Sequence, residues 1–271
     1  MTLEFATEAL RRAGVDSPEY DARELFICAL GLGRSEIIGK NEDFSSPLLE
    51  EFIKRRIQRE PLQYIIGEVG FYREEYTVTP DVLIPREDTE TLVDFAVKNI
   101  PEGGRFIDLC TGSGCVAVST LKNTKNTRAL AVDISDGALA IARINAEKNG
   151  VVDRLELVKR DLLREPIPDF GEVFCILSNP PYVTESEYEE LADEIYREPK
   201  CAFVGGEDGM DFYECLIPRA LEVISDDGFL AFEIGYMQAD AVSRIAWECN
   251  AELKILKDLS GNDRVAVIRK K

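Results

Sequence analysis

Phe106-Ile107-Asp108-Leu109-Cys110-Thr111-Gly112-Ser113-Gly114 is a short apolar run that breaks into a glycine-rich turn, and Ala117 completes the spacing G-x-G-x-x-G/A. The apolar run predicts a strand and the residues after Gly114 a helix. Glycines there let the backbone turn tightly and approach a ligand held at the helix amino end. The next apolar run, Ala129-Leu130-Ala131-Val132, ends in Asp133, 21 residues past Gly112. An acid at that place can accept hydrogen bonds from both hydroxyls of a ribose. Strand, glycine loop, helix and acid together predict a nucleoside-containing cofactor. Nicotinamide dinucleotides and S-adenosylmethionine share this layout, and the pattern does not choose between them.

Working outward, Leu155 to Val158, Val173 to Ser178 and Phe229 to Ile234 are further short apolar runs, with helical stretches such as Ser135 to Lys148 and Gly209 to Ile224 between them. Near-continuous apolar strands separated by helices predict a parallel sheet covered on both faces. Leu253 to Leu259 and Arg264 to Arg269 are joined by too few residues for a crossover, so they predict an antiparallel hairpin at one sheet edge. Towards the amino terminus, apolar residues recur at helical spacing, as in Ala22, Leu25, Phe26 and Ala29. Asp16-Ser17-Pro18 and Ser45-Ser46-Pro47 mark helix starts, which predicts about four helices before residue 70. Between Gly70 and Pro85 the period becomes two, and Tyr76-Thr77-Val78 with Val82-Leu83-Ile84 predict a hairpin-like connector.

Composition excludes several chemistries. The chain has 271 residues and no histidine, so a Ser-His or Cys-His pair, an imidazole base and a His-containing metal site are all ruled out. The net charge is −19, and residues 81–271 hold 36 of the 51 acids. Such a charge opposes sequence-independent binding to phosphate backbones, so neither nucleic acid nor a membrane is an expected partner. The seven cysteines are scattered without a CxxC pair, which argues against a disulfide framework or a zinc ribbon. Cys28 and Cys175 sit in apolar runs and are expected to be buried. With no apolar run approaching a membrane span, a cytoplasmic protein is expected.

The run Val173 to Ser178 is followed by Asn179-Pro180-Pro181-Tyr182. In a doubly wound sheet the first and fourth strands flank the reversal of strand order, so Asn179 should face the glycine loop. Two prolines remove two N–H donors and leave a rigid turn that presents carbonyl oxygens. The Asn179 side-chain oxygen and the Pro180 carbonyl can both accept from one NH₂ group, and Tyr182 can stack on the plane that carries it. This arrangement suits methyl transfer to a planar amine or amide, by positioning and electrostatics and without an imidazole. Arg86 and Glu90 are candidates to orient a substrate loop, although Glu87 to Glu90 read equally as a helix start. The acidic run Glu185 to Glu198 reads either as a landing place for a basic partner or as a solvated helix face.

Asn-Pro-Pro-Tyr after a Cys-Thr-Gly-Ser-Gly loop resembles the amino-methyltransferases that use S-adenosylmethionine. The rest of the chain is similar to the HemK/PrmC family of release factor glutamine methyltransferases. The likeness includes Pro61 to Gly67, Leu83 to Glu90, Arg197-Glu198-Pro199, Gly205 to Gly209, Glu233-Ile234-Gly235 and Lys257 to Arg264. It implies a Rossmann-like class I methyltransferase sheet of seven strands with a terminal antiparallel hairpin. A small helical substrate-recognition domain (1–69) and a β-hairpin connector (70–85) would precede the catalytic domain (86–271). Cys110, Thr111, Gly112, Ser113, Gly114, Asp133 and Asn179 would hold S-adenosylmethionine, with Asp161 and Leu162 beside its adenine. Asn179, Pro180, Pro181 and Tyr182 would hold the substrate amide. The implied reaction methylates the glutamine amide in the Gly-Gly-Gln motif of class I release factors. Rival readings are a glutamine on a ribosomal protein, the amine of DNA adenine, and a dinucleotide-dependent oxidoreductase or nucleotide-binding module. Two departures from the family are Cys110 at a usual glycine and Leu162 where some members carry an aromatic residue.

Overall fold

The computed structural model describes residues 1–37 and 42–271. The chain divides into two compact units, Met1–Glu68 with Ala192–Arg197, and Val69–Leu191 with Glu198–Lys271. The first unit contains helices α1 (Leu3–Arg12), α2 (Pro18–Leu30), α3 (Pro47–Ile57) and α4 (Leu62–Ile66). Both proline starts fall as expected: Ser17 and Ser46 are the N-cap residues, each with Pro at the first helical position. Ala6, Leu10, Ala22, Leu25, Phe26, Leu49 and Ile53 close into one core. Cys28 is exposed, contrary to expectation, because the buried face of α2 runs through Ala22, Leu25 and Phe26 and leaves position 28 beyond its edge. The segment Ala192–Arg197, expected within the catalytic part, belongs to this unit. There Glu194 takes a hydrogen bond from Arg56 at 2.7 Å, and Arg197 donates to the Gln58 carbonyl at 3.1 Å.

The second unit is built on β3 (Arg105–Leu109), β4 (Arg128–Asp133), β5 (Leu155–Lys159), β6 (Val173–Ser178), β7 (Ile224–Glu233), β8 (Ala251–Lys257) and β9 (Asp263–Lys270). Their order is β5-β4-β3-β6-β7-β9-β8. The first five pair in parallel, while β9 runs antiparallel between β7 and β8. Alternation along each strand feeds two cores. Phe106, Ala129, Ala131, Cys175 and Leu177 pack on the face of α5 (Glu90–Asn99) and α6 (Cys115–Asn123). Ile107, Leu109, Leu130, Val132 and Ile176 pack on the face of α9 (Asp211–Val223) and α10 (Ala239–Glu248). Helix α7 (Asp136–Lys148) follows β4, and the short α8 (Glu185–Tyr188) follows the Asn179 turn.

The connector hairpin is displaced from its expected place. It pairs β1 (Glu68–Phe71) with β2 (Glu74–Thr77) around Tyr72-Arg73, and Val82-Leu83-Ile84 form no strand. Val78, Val82 and Ile84 are nevertheless buried, so their alternation records burial of one side of an irregular segment and not a ladder. Among the described residues, no helix is long and apolar enough to cross a membrane.

Candidate active site

Since β4 and β6 pair on opposite sides of β3, the strand order reverses there and a crevice opens at the carboxyl ends of β3 and β6. The loop after β3 is built by its own hydrogen bonds. Thr111 N donates to the Val132 carbonyl at 3.0 Å and Gly114 N to the Thr111 carbonyl at 2.8 Å. Asp108 Oδ2 accepts from Thr111 Oγ1 at 2.6 Å and from Ala117 N at 3.2 Å. Cys110 adopts φ +59°, the left-handed conformation a glycine would take freely, so the usual backbone path survives the substitution. Burial, followed by the charge of Asp133, pushes the Cys110 thiol well up, so it remains neutral. At Gly112 (φ +54°) a Cβ would meet nothing within 4 Å, so this backbone lies open to a ligand.

A cavity of about 250 Å³ lies against this loop. Cys110, Thr111, Gly112, Ser113, Asp133, Asp161, Leu162, Asn179, Pro181 and Arg86 line it, so most of the residues singled out by sequence do converge. Asp133 is oriented by two backbone donors, Gly112 N to Oδ2 and Ser135 N to Oδ1, each at 2.9 Å. Burial raises its carboxyl and these donors partly offset the rise. Asp108 is 1% exposed, and its Oδ1 is buried without a partner. Burial pushes its carboxyl to about 7, and it lines the same cavity. An orphaned carboxylate oxygen, a second acid with fixed direction and apolar Ile134, Leu162 and Phe212 fit a ligand that combines an ammonium, a ribose and a flat base.

Across the crevice, the ends of β3 and β6 are tied by Ser178 Oγ donating to the Leu109 carbonyl at 2.7 Å. The next residue, Asn179, donates from Nδ2 to Thr89 Oγ1 at 3.1 Å. Thr89 Oγ1 in turn donates to Glu233 Oε2 at 2.6 Å, and the Tyr182 hydroxyl donates to Glu233 Oε1 at 3.3 Å. Neither Asn179 Oδ1 nor the Pro180 carbonyl accepts a hydrogen bond among the described residues. The turn is clamped from behind. A Cβ on Gly205 would lie 2.4 Å from the Pro181 carbonyl oxygen and one on Gly209 2.3 Å from that of Tyr182, distances only glycine permits. Gln238 Nε2 adds a bond to the Tyr182 carbonyl at 3.0 Å.

Four of the singled-out residues stand outside the cavity lining: Gly114, Pro180, Tyr182 and Glu90. Gly114 turns the chain into α6, where a Cβ would meet Ala142 at 3.0 Å. Glu90 is not aimed at a substrate, because its carboxylate accepts from Tyr72 N at 2.7 Å and holds the β1–β2 turn. Tyr182 is tethered through its hydroxyl to Glu233, so its ring braces the turn from within the core instead of lying free to stack. Arg86 pairs with Glu198, which also accepts from Ile84 N at 2.9 Å. Thr89 and Glu233 were not foreseen as site residues. The only sequence signal for them was their place inside the Leu83 to Glu90 and Glu233 to Gly235 segments.

A parallel sheet with one antiparallel strand inserted near its end, and the Asn179 turn facing the glycine loop, place this protein among the S-adenosylmethionine-dependent methyltransferases. Residues 2–67 match the PrmC N-terminal domain and residues 87–206 the methyltransferase small domain. The release factor glutamine methyltransferase of Geobacter sulfurreducens is 38% identical over 248 residues, spanning 89% of this chain and 85% of that protein. Its counterpart in Nitratidesulfovibrio vulgaris is 36% identical over 280 aligned positions, spanning 99% of this chain and 94% of the other. A solved methyltransferase from Pyrococcus furiosus shares the fold, with a TM-score of 0.52 and 19% identity over 71% of this chain and 86% of that one. The chain belongs to the release factor glutamine methyltransferase family.

Proposed function

We propose that this protein methylates the side-chain amide nitrogen of the glutamine in the Gly-Gly-Gln motif of class I peptide chain release factors. The observation that carries the reading is the pair of free acceptors, Asn179 Oδ1 and the Pro180 carbonyl, on a turn held through Asn179 Nδ2, the Tyr182 hydroxyl and the Tyr182 carbonyl. A planar NH₂ group can give one N–H to each oxygen. Its lone pair then stands perpendicular to that plane, and positive charge developing on nitrogen is drawn off through the two N–H bonds. S-adenosylmethionine, when bound, supplies the methyl group on an electrophilic sulfonium.

The remaining roles belong to this chain. Asp133 would accept from the ribose hydroxyls, Asp108 Oδ1 would meet cationic charge, and residues 110–114 would give backbone to the cofactor. Asp161 and Leu162 would border the base, with an aliphatic side chain offered to it instead of a ring. Pro181 closes the cavity beside the reacting centre, and Arg86, held by Glu198, guides the substrate loop. Holding both reactants in place can account for roughly 7 to 11 kcal/mol of the barrier.

Much of the acidic run after Tyr182 is used internally: Glu187 caps its own helix, Glu185 pairs with Lys200 and Glu198 is buried on Arg86. A basic release factor surface would therefore meet the remaining acids of the catalytic unit. The test is transfer of labelled methyl from S-adenosylmethionine to an intact release factor, to its Gln→Ala variant and to a short Gly-Gly-Gln peptide. Label on the intact factor, little on the peptide and none on the variant is the expected pattern. Label on a ribosomal protein or on DNA adenine instead would replace the assignment.

A further inference from the structure

Glu233 ends β7, is 2% exposed and does not itself line the cavity, although Thr89, which donates to it, does. It nevertheless heads the chain of donors that ends at the reacting turn. A carboxylate has no proton to give, so it accepts from both Thr89 and Tyr182. Thr89 has one hydroxyl proton, and once Glu233 holds it, only lone pairs remain for Asn179. The Asn179 amide must then turn its NH₂ towards Thr89 and its oxygen outward. We propose that Glu233 is a positioning residue that fixes the direction of hydrogen bonding from Thr89 to Asn179, and thereby holds Asn179 Oδ1 towards the substrate amide. The proposal rests on the glutamine methylation reading for the identity of that amide and on the hydrogen-bond geometry for the rest.

The device has a protonation state in which it fails. Burial pushes the Glu233 carboxyl to about 7, more than the bonds from Thr89 and Tyr182 and the nearby Arg264 bring it back. A protonated Glu233 can donate to Thr89, which frees the Thr89 proton for Asn179 Oδ1 and reverses the amide. The charged and titratable groups around Glu233 are Asp88 beside Thr89, Cys115 on α6, Tyr182, Tyr213 on α9 and Arg264 on β9. Burial raises the two tyrosines and the cysteine, and the guanidinium stays charged, so none of these four changes state near pH 7. Asp108 also lies at about 7, but it lines the cofactor cavity and reads out in cofactor affinity.

Two measurements test the proposal. In the first, the Asn179 side-chain amide is followed by ¹⁵N-edited NMR across pH 5.5 to 8.5, its signal assigned by its loss in Asn179→Asp. It should move with a midpoint near 7 in the native protein and stay still in Glu233→Gln. In the second, kcat is measured at saturating cofactor and release factor. Native kcat should climb through the same midpoint. Glu233→Gln and Thr89→Val should lose roughly ten- to hundredfold, the range for one charge-assisted hydrogen bond, and flatten the acid limb, with cofactor affinity unchanged in Glu233→Gln. Thr89→Ser should restore the profile. An amide that ignores pH, or titrates equally in Glu233→Gln, overturns the proposal, as does native kcat in Thr89→Val. Absence of methyl transfer to the release factor by the native protein would overturn the functional reading instead, and the NMR result would still decide the positioning role.

Discussion

The two units each bury a carboxylate, and they treat it differently. In the helical unit Asp21 is met directly by the Arg56 guanidinium at 2.6 Å, and Arg56 also reaches the Glu60 carbonyl and Glu194. In the catalytic unit Glu233 receives only hydroxyls, and the nearest cation, Arg264, is engaged with Asp88 and Asp258, each at 3.1 Å. Burial raises both acids; at Asp21 the Arg56 guanidinium pulls the carboxyl back, whereas Glu233 is pushed up to about 7. A buried acid with its own cation holds helices in register. A buried acid with only hydroxyls keeps a proton equilibrium within physiological reach, and the amide two bonds away can feel it.

Breaking the first arrangement should produce the largest effect. Arg56→Met leaves Asp21 buried without its cation, while Glu194 keeps Arg59 at 3.2 Å, and should cost about 3–5 kcal/mol of stability. Urea unfolding followed by circular dichroism measures it. A loss below about 1 kcal/mol would put the pair in the class of exposed ion pairs. Next comes the reacting turn. Asn179→Ala removes an acceptor aimed at charge that develops in the transition state, so kcat should fall by about 10²–10³ while cofactor affinity stays the same. Near-native turnover with cofactor bound would remove Asn179 from the reaction.

Smaller again is the effect expected at Asp133. Its oxygens already accept from Gly112 N and Ser135 N, so the carboxylate is preoriented, and a ribose hydroxyl meets a fixed acceptor. Asp133→Ala should weaken S-adenosylmethionine binding by about 1.5–3 kcal/mol in all, read by calorimetry, with kcat at saturating cofactor little changed. Unchanged affinity in the folded variant would sink the ribose assignment.

What could be read from the sequence follows the range of the interactions. β3 and β6 fall at Arg105–Leu109 and Val173–Ser178 as expected, because central strands buried on both faces are continuous apolar runs ended by glycine or proline. The glycine loop and Asp133 were legible because a local turn and a strand end set them. The β1–β2 hairpin was misplaced because its turn carries Tyr72 at φ +57° and Arg73, without the Asn-Gly or Asp-Gly signal. Glu90 is a charge near the site whose carboxylate holds the β1–β2 turn, while its neighbour Thr89 is the residue bonded to Asn179. Nothing local marks Thr89, because its meaning comes from Glu233, 144 positions away. The return of Ala192–Arg197 to the helical unit likewise depends on Glu194 meeting Arg56, a contact that periodicity does not carry.

The smallest expected effect has the opposite sign to the others. A carboxylic acid whose folded pKa lies above its unfolded value binds its proton more tightly when folded. For Glu233 the folded value is about 7 and the ordinary value 4.5, so folding stability declines as pH rises from about 4.5 to about 7 and stays reduced above that. Glu233→Gln keeps the volume and removes the charge, so above pH 7 it should be more stable than the native protein. The gain should be on the order of 1 kcal/mol, because relief from burying a charge is partly offset by losing the charge-assisted bonds from Thr89 and Tyr182. Below about pH 4.5 the gain should vanish, since the acid is protonated in both states. Differential scanning calorimetry of the two proteins at pH 4.5, 6, 7 and 8 reads the difference directly. A variant less stable than the native protein at pH 8 would mean that Glu233 contributes to the fold as Asp21 does. A more stable and slower variant would mean that the fold carries this acid, at a cost to its stability, for the sake of Asn179.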